Sequence, residues 1–454
     1  MLASEADTEQ ARSMSNSKIA VIGSGIAGLS AAWLLSKKYQ VTLFERQPQP
    51  GMGAYAVNVG SQETPVTVDI PLRIITSGYY NELFNLYKTV GVEIERTDHA
   101  GAFYSDQGEQ IFHYRNFHFG KHTLSTLSGP NALSKTNISR ALEAKLFLKK
   151  IRKQDLRKLE NVTLGDFLNR NGHLDSVFVQ SVLLPMLSTI CTCDYDSVLN
   201  YPAEIILDYL TCGVAKEGVW KARHGVSDIV NRLTQGYEVV THAQAMRLEK
   251  SNDQISLFYK DNASSQQSTE LKQQTFDHLV IATQPQQAAE LLKSESSEDL
   301  PSNAQKQRLY DHLAAIRFAK STMVVHRDTG IYPIKWQQLS PVCYSIDPAL
   351  QRPMATVCLN KSMPSVRDCE EVFQTWHPTV EIDPDKILAS AEFERPLISF
   401  EMLNHVKEIK ASMAQANNRI WFCGSYLGGG IPLLEAGVKS ALEVANRLNI
   451  ETPW

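Results

Sequence analysis

Hydrophobic and polar positions alternate in readable blocks along this chain, and the block at Lys18 to Glu45 organises the rest. An apolar run from Ile19 to Ile22 predicts a buried strand, and the helical spacing from Ile26 to Ser36 predicts a helix. A second run, Val41 to Phe44, predicts another strand that ends on the acidic Glu45. Gly23, Gly25 and Gly28 lie between the first strand and the helix. Strand, glycine turn, helix, strand and acid is the order a dinucleotide-binding βαβ unit requires. In such a unit Gly23 allows the turn, Gly25 lets the backbone approach a pyrophosphate, and Gly28 lets helix and strand pack closely. The N–H groups that open the helix, Ile26 and Ala27 among them, face the phosphates with a partial positive charge. Glu45, twenty residues past Gly25, stands where a carboxylate can bond a ribose.

Further along, alternation at 56–59 and 66–70 predicts a hairpin, and YYNELFNLYKTV predicts a helix from Tyr79 to Val90 with Gly91 as its stop. Aromatic and polar residues alternate from Gly101 to Gly120, as expected for two strands of a second sheet. Ser139 to Leu159 reads as a basic helix; its alternatives are a solvated helix face and a contact with a membrane surface. Thr163 is placed to cap the next helix, and helices continue through Tyr209. A helix with Val226, Ile229, Val230 and Leu233 then leads to a strand at 237–241, a hairpin around 255–259, and a buried strand from Phe276 to Thr283. Last, a strand at 420–423 runs into Gly424, Gly428, Gly429 and Gly430 and a helix from Leu434 to Leu448. This repeats the opening logic. The implied fold class is α/β: a discontinuous Rossmann-like dinucleotide domain from 17–75, 225–300 and 415–454, and an α+β substrate domain from 76–224 and 301–414.

Composition changes this picture little. The 454 residues exceed one compact core, and 43% hydrophobic with 21% charged residues is ordinary for a globular chain. A net charge of -4 gives no overall pull toward nucleic acid. Seven irregularly spaced cysteines argue for a reducing compartment, and Cys191 with Cys193 lacks a second pair at zinc spacing, so no metal site is expected. Residues 1–16 are polar and acidic, unlike a signal or transit peptide, and read as a disordered tail. No run reaches the length of a membrane span, so the expectation is a cytoplasmic protein. Nothing in the sequence specifies an oligomeric state.

The motifs VIGSGIAGLSAAWLLS, VDIPLRIITSGYYNELFNLYKTVGV, TLGDFL, HLVIAT and WFCGSYLGGG together resemble the FAD-dependent amine oxidase superfamily, which includes monoamine oxidases, phytoene-type desaturases and fatty-acid double-bond isomerases. The likeness spans Ser17 to Leu448 and is nearest to the NAD/FAD-binding amine-oxidase-like proteins of bacteria and fungi. It implies that Gly23, Gly25, Ile26, Ala27 and Gly28 hold the FAD pyrophosphate and Glu45 the ribose. Arg46 and Gly51-Met52-Gly53 fall at a turn that is Gly-Gly-Arg or Gly-Gly-His in relatives. Ala243 or Ala245 would face adenine, and Ala282-Thr283 would pass the pyrophosphate. Gly424-Ser425 replaces a Gly-Asp pair that binds ribityl, and Leu434, Glu435 and Ala436 would set N–H groups against flavin N1 and O2. No cysteine has the S-G-G-C-Y context of covalent attachment, so the resemblance implies non-covalent FAD.

Leu72 and Arg73 belong to the segment that crosses the isoalloxazine in relatives. Arg73 could clamp a carboxylate or phosphate, or be an ordinary salt-bridged arginine. Lys335 could hold a water near flavin N5, or be an exposed lysine; His377 could be an acid or base, or a structural histidine. Tyr426 could contact the flavin face. The function implied is hydride removal from an apolar, lipid-like or polyene substrate, by desaturation, oxidation or isomerisation. The competing readings are an amine or amino-acid oxidase that releases peroxide, a non-catalytic lipid chaperone on the same fold, and a plain NAD dehydrogenase.

Overall fold

A computed structural model describes residues 17–454 except 53–54, 62, 64, 121, 213–217, 252, 264–269 and 294–299. The segment read as a disordered tail, 1–16, lies outside the described residues, as does Gly53. The first layer is a five-stranded parallel sheet in the order Glu238–Val240, Gln40–Phe44, Lys18–Ile22, His278–Ile281, Ile420–Phe422. The central strands are short apolar runs buried on both faces, as covered parallel strands require, while the edge strand Glu238–Val240 is only half-buried. The helix Ile26–Leu35 packs on this sheet, and Leu434–Arg447 packs on that helix. Contact is close enough that a Cβ on Gly437 would lie 2.6 Å from the Ile26 side chain.

The sequence predicts one strand from Phe276 to Thr283, but two form. Lys272–Phe276 closes an antiparallel meander with Ala243–Ser251 and Gln254–Asp261, and His278–Ile281 enters the parallel sheet. The break falls at Asp277, whose N–H donates to the Lys18 carbonyl and whose carboxylate accepts the Lys18 N–H at 2.7 Å. That reciprocal pair turns the chain from one sheet to the other.

The second layer is a mixed eight-stranded sheet in the order Ile387–Pro396, Phe318–His326, Phe373–Trp376, Met354–Cys358, Val342–Ile346, Gly101–Ser105, Gln110–Phe119, His122–Leu127. Its last strand extends beyond the two strands expected from the 101–120 alternation. Helices between 135 and 211 cover part of it. The basic helix begins earlier than its pattern suggests, at Lys135, because Ser134 accepts the Asn137 N–H and caps it; it ends at Ile151, and Leu156–Leu159 forms a separate 3-10 turn. Thr163 caps the following helix as expected, accepting the Asp166 N–H at 3.0 Å. Gly91 ends the helix Asn81–Val90 in the left-handed conformation. Among the described residues no helix is long and apolar enough to cross a membrane.

Candidate cofactor and active site

Three glycines shape the mouth of the first sheet, each in its own way. Gly23 has φ of +99°, and a Cβ there would lie 3.1 Å from the Ala282 carbonyl oxygen. A Cβ on Gly28 would fall inside the Gly23 carbonyl oxygen and 3.0 Å from Ala282 Cβ. Gly25 differs: no atom lies within 4 Å of a Cβ placed there, so that side of the turn is open. Gly25 is also the N-cap of Ile26–Leu35, and no side chain caps that helix. The N–H groups of Ile26, Ala27 and Gly28 therefore stand at an open, electropositive helix end. Ala282 and Thr283 wall the turn from the neighbouring strand, where a small residue is obligatory.

Ser24 holds this turn in place. Its side chain is 1% exposed, and its hydroxyl donates to Glu45 Oε2 while accepting the Gly51 N–H at 3.0 Å. The Ser24 N–H donates to the same Glu45 oxygen at 3.0 Å, and the Gln47 N–H donates to Glu45 Oε1 at 2.9 Å. Glu45 is thus oriented from three sides, with acceptor capacity left on Oε1. Ala243 lies beside it, buried, its N–H donating to the Glu45 carbonyl at 2.8 Å. Gly51 is open above Ser24, Met52 is buried, and Arg46 stands exposed on the loop between.

A second uncapped helix end faces the first. Leu434–Arg447 begins after Leu433 with no side-chain cap. Gly428 lies so close to Ala436 that a Cβ would enter its carbonyl oxygen. Gly424 donates its N–H to Ser440 Oγ at 2.9 Å, and Ser425 is half-buried at the strand end. The Ile431 N–H donates to the Tyr79 hydroxyl at 2.9 Å, which ties the loop to the second layer. Glu435 turns its side chain away from this opening: its oxygens accept the N–H groups of Glu82 and Leu83 at 3.1 and 2.9 Å, so it caps Asn81–Val90. Burial raises its pKa. Leu434 and Ala436 lie on either side of it in the first turn.

The segment carrying Leu72 and Arg73 is held from both layers. Asp69 accepts the Val226 N–H at 3.1 Å at the start of Gly225–Leu233, where a side chain on Gly225 would strike the carboxylate. Gln374, 1% exposed on the large sheet, accepts the Leu72 N–H at 2.9 Å and donates to the Asp69 carbonyl at 2.7 Å. Arg73 then reaches inward. Its Nη2 donates to the Met52 carbonyl at 2.9 Å, while its buried Nε has no hydrogen-bond partner among the described residues. The charged groups nearest it are Asp69 and a second arginine, Arg395, and the neutral phenol of Tyr87 lies beside it. Tyr80 lies near Arg395 and packs on Tyr79 with centroids 5.4 Å apart; Tyr209 lies 4.9 Å from Tyr79, and Tyr344 stacks on Phe103 at 4.6 Å. Burial raises every one of these phenols, so they stay protonated.

Three further sequence candidates are Lys335, His377 and Tyr426. Lys335 is exposed at the start of a 3-10 turn, Trp336–Gln338. His377 lies at the end of Phe373–Trp376 with φ of +48°; burial, with Arg352 as its nearest charge, lowers it to about 4, so it is neutral. Tyr426 is buried, its ring under Gly424, and it lines a cavity of about 320 Å³ with Ile398, Leu403 and Val406. Sequence reasoning missed Ser24, Gln374 and Arg395. Only Ser24, inside the glycine motif, had a local signal.

Residues 21–90 match the family described as NAD(P)-binding Rossmann-like domain. No curated protein matches the sequence. Among solved structures, a CLA-producing fatty acid isomerase from P. acnes is similar at 13% identity and TM-score 0.65, over 95% of this chain and 98% of that one. A putrescine oxidase is similar at 12% identity and TM-score 0.64, over 96% and 99%. Cyclohexylamine oxidase from Brevibacterium oxydans IH-35A follows at 13% identity and TM-score 0.60, over 95% and 98%. Opening on a nucleotide-binding Rossmann-like segment, the chain shares its fold with these solved enzymes over at least 95% of its length.

Proposed function

We propose that this chain is an FAD-dependent oxidoreductase that removes hydride from an apolar, lipid-like or polyene substrate carrying an acidic group. The observation that carries the reading is the pair of glycine-shaped, uncapped helix ends, Ile26–Leu35 and Leu434–Arg447, in contact at Gly437 and Ile26. An NAD enzyme needs only the first. Two such ends suit a cofactor with a pyrophosphate near one and an electron-rich ring edge near the other. The residues fit FAD: the open face of Gly25 admits phosphate, the free capacity of Glu45 admits a ribose hydroxyl, and the N–H groups at Leu434 to Ala436 suit flavin N1 and O2. Bound there non-covalently, FAD would supply the hydride acceptor.

The chain's own part is binding and orientation. Arg73, with an unpaired Nε in aromatic surroundings, is suited to hold an anionic group of the substrate. Buried tyrosines exclude water from the same region. Those rings also favour a second reading, amine oxidation, because aromatic faces attract cations. Two arginines, Arg73 and Arg395, oppose it, since each repels a substrate ammonium. The test is anaerobic titration of the FAD-loaded protein with long-chain unsaturated acids, polyenes and primary amines. The reading predicts flavin bleaching or substrate conversion with the acids or polyenes. Bleaching with amines alone, followed by peroxide release in air, would overturn it.

A further inference from the structure

We propose that the hairpin Gln110–Leu127 and the helix Lys135–Ile151 form a surface that docks on anionic lipid bilayer. The proposal is independent of the flavin chemistry. Pairing of Gln110–Phe119 with Gly101–Ser105 ends at His113, whereas its pairing with His122–Leu127 runs on from Tyr114 to Phe119. The outer part of the hairpin therefore projects past the neighbouring strand Gly101–Ser105. Its two faces are partly inverted for a protein in water, and Arg115, His122 and Thr126 share the outer one with exposed apolar residues. The polar face is turned to the body: Asn116 donates to Asp98 at 3.0 Å, Ser125 donates to Asn116 at 2.7 Å, and Arg96 bonds both Thr123 and the Gly120 carbonyl. The other face carries Phe117 paired with Leu124, and Phe119 next to them, 50%, 57% and 64% exposed.

The helix repeats this inversion and is tied to the same hairpin, because Arg140 donates to the Ile111 carbonyl at 2.7 Å. Phe147 and Ile151 face the core, while Ile138, Leu142 and Leu146, spaced by four, form a stripe along the solvent side. Exposed Lys135, Lys145, Lys149 and Lys150 flank that stripe. Residues 111–158 hold eleven Lys and Arg against two acidic residues, in a chain whose net charge is -4. Apolar side chains that enter the acyl boundary, bordered by lysines that reach phosphate, match an anionic bilayer surface. A second copy of this chain would bring the same basic border against itself, and like charges repel.

The test is co-sedimentation of the full-length, FAD-loaded protein with phosphatidylcholine vesicles and with phosphatidylcholine–phosphatidylserine vesicles, alongside light-scattering mass. Wild type should bind the anionic vesicles, bind neutral ones at least tenfold less, and release in high salt. Lys145→Ser, Lys149→Ser and Lys150→Ser together should weaken binding about a hundredfold, from about fivefold per lysine. Phe117→Ser, Phe119→Ser and Leu124→Ser together should weaken it at least tenfold, with the unfolding midpoint unchanged because all three are exposed. Failure of wild type to bind anionic vesicles overturns the proposal. So does unchanged binding in both variants, or a wild-type dimer that the apolar variant converts to monomer without any vesicle binding.

Discussion

Replacing Gly25 and Gly28 by alanine, one at a time, should separate cofactor binding from folding. At Gly25 the backbone has φ of -62° and ψ of 171°, which alanine adopts freely, and nothing in the protein lies within 4 Å of the new Cβ. Loss of chain entropy in the unfolded state favours alanine by about 0.4–1 kcal/mol, and its poorer N-cap preference opposes by about as much. Gly25→Ala should therefore leave the stability of the FAD-free protein within about 1 kcal/mol of wild type. The same methyl occupies the space a pyrophosphate needs. Losing two charge-assisted hydrogen bonds, at about 1.5–3 kcal/mol each, should weaken FAD at least about a hundredfold. Gly28→Ala should behave in the opposite sense, because its Cβ meets the Gly23 carbonyl oxygen and Ala282 inside the protein itself. Overpacking of that kind costs about 1–3 kcal/mol of stability before any ligand is added. The assays are urea unfolding of the FAD-free proteins and FAD titration followed by flavin fluorescence. If Gly25→Ala bound FAD within threefold of wild type, or were as unstable as Gly28→Ala, the assignment of this turn would be refuted.

Three further outcomes follow from the same geometry. Gln374→Leu strands the Leu72 N–H and the Asp69 carbonyl; it should destabilise by about 2–5 kcal/mol in urea unfolding and slow turnover, because Arg73 rides on that segment. Glu435→Ala leaves the Glu82 and Leu83 N–H groups uncapped, and should cost about 2 kcal/mol or more, read as a lower urea midpoint. His326, fully buried, accepts the Asp328 N–H on Nδ1 and is held at about 4 by burial. Above pH 6.5 both folded and unfolded forms are neutral there. Below it only the unfolded chain takes the proton, so stability should fall as pH drops from about 6.5 to 4, by at most about 3 kcal/mol from this residue. His326→Gln should flatten that part of the urea-midpoint profile against pH.

Much of the first layer was legible because its signals are local. Strand, turn, helix and acid lie within twenty-eight residues, Lys18 to Glu45, and each has a sequence preference of its own. The Thr163 cap and the Gly91 stop were readable for the same reason. What escaped depends on contacts between distant residues. Gln374 reaches Leu72 across 302 positions, and Glu435 caps a helix 352 positions away, so no periodicity near either residue marks its role. Asp277 divides an apolar run that looks continuous, because its partner is Lys18 in another segment. Of the two readings of Lys335, the exposed lysine agrees with where it stands, on a turn at the surface. The inverted hairpin was also hidden, since alternation gives two faces without saying which one meets water.

The most direct measurement is the absorbance spectrum of the purified, undenatured protein, followed by identification of what acid denaturation releases into the supernatant. The account predicts visible flavin bands and one equivalent of free FAD, none of it left on the precipitated chain. A protein that carries no flavin and fails to bind added FAD, or one that binds NAD(P) in its place, would contradict it.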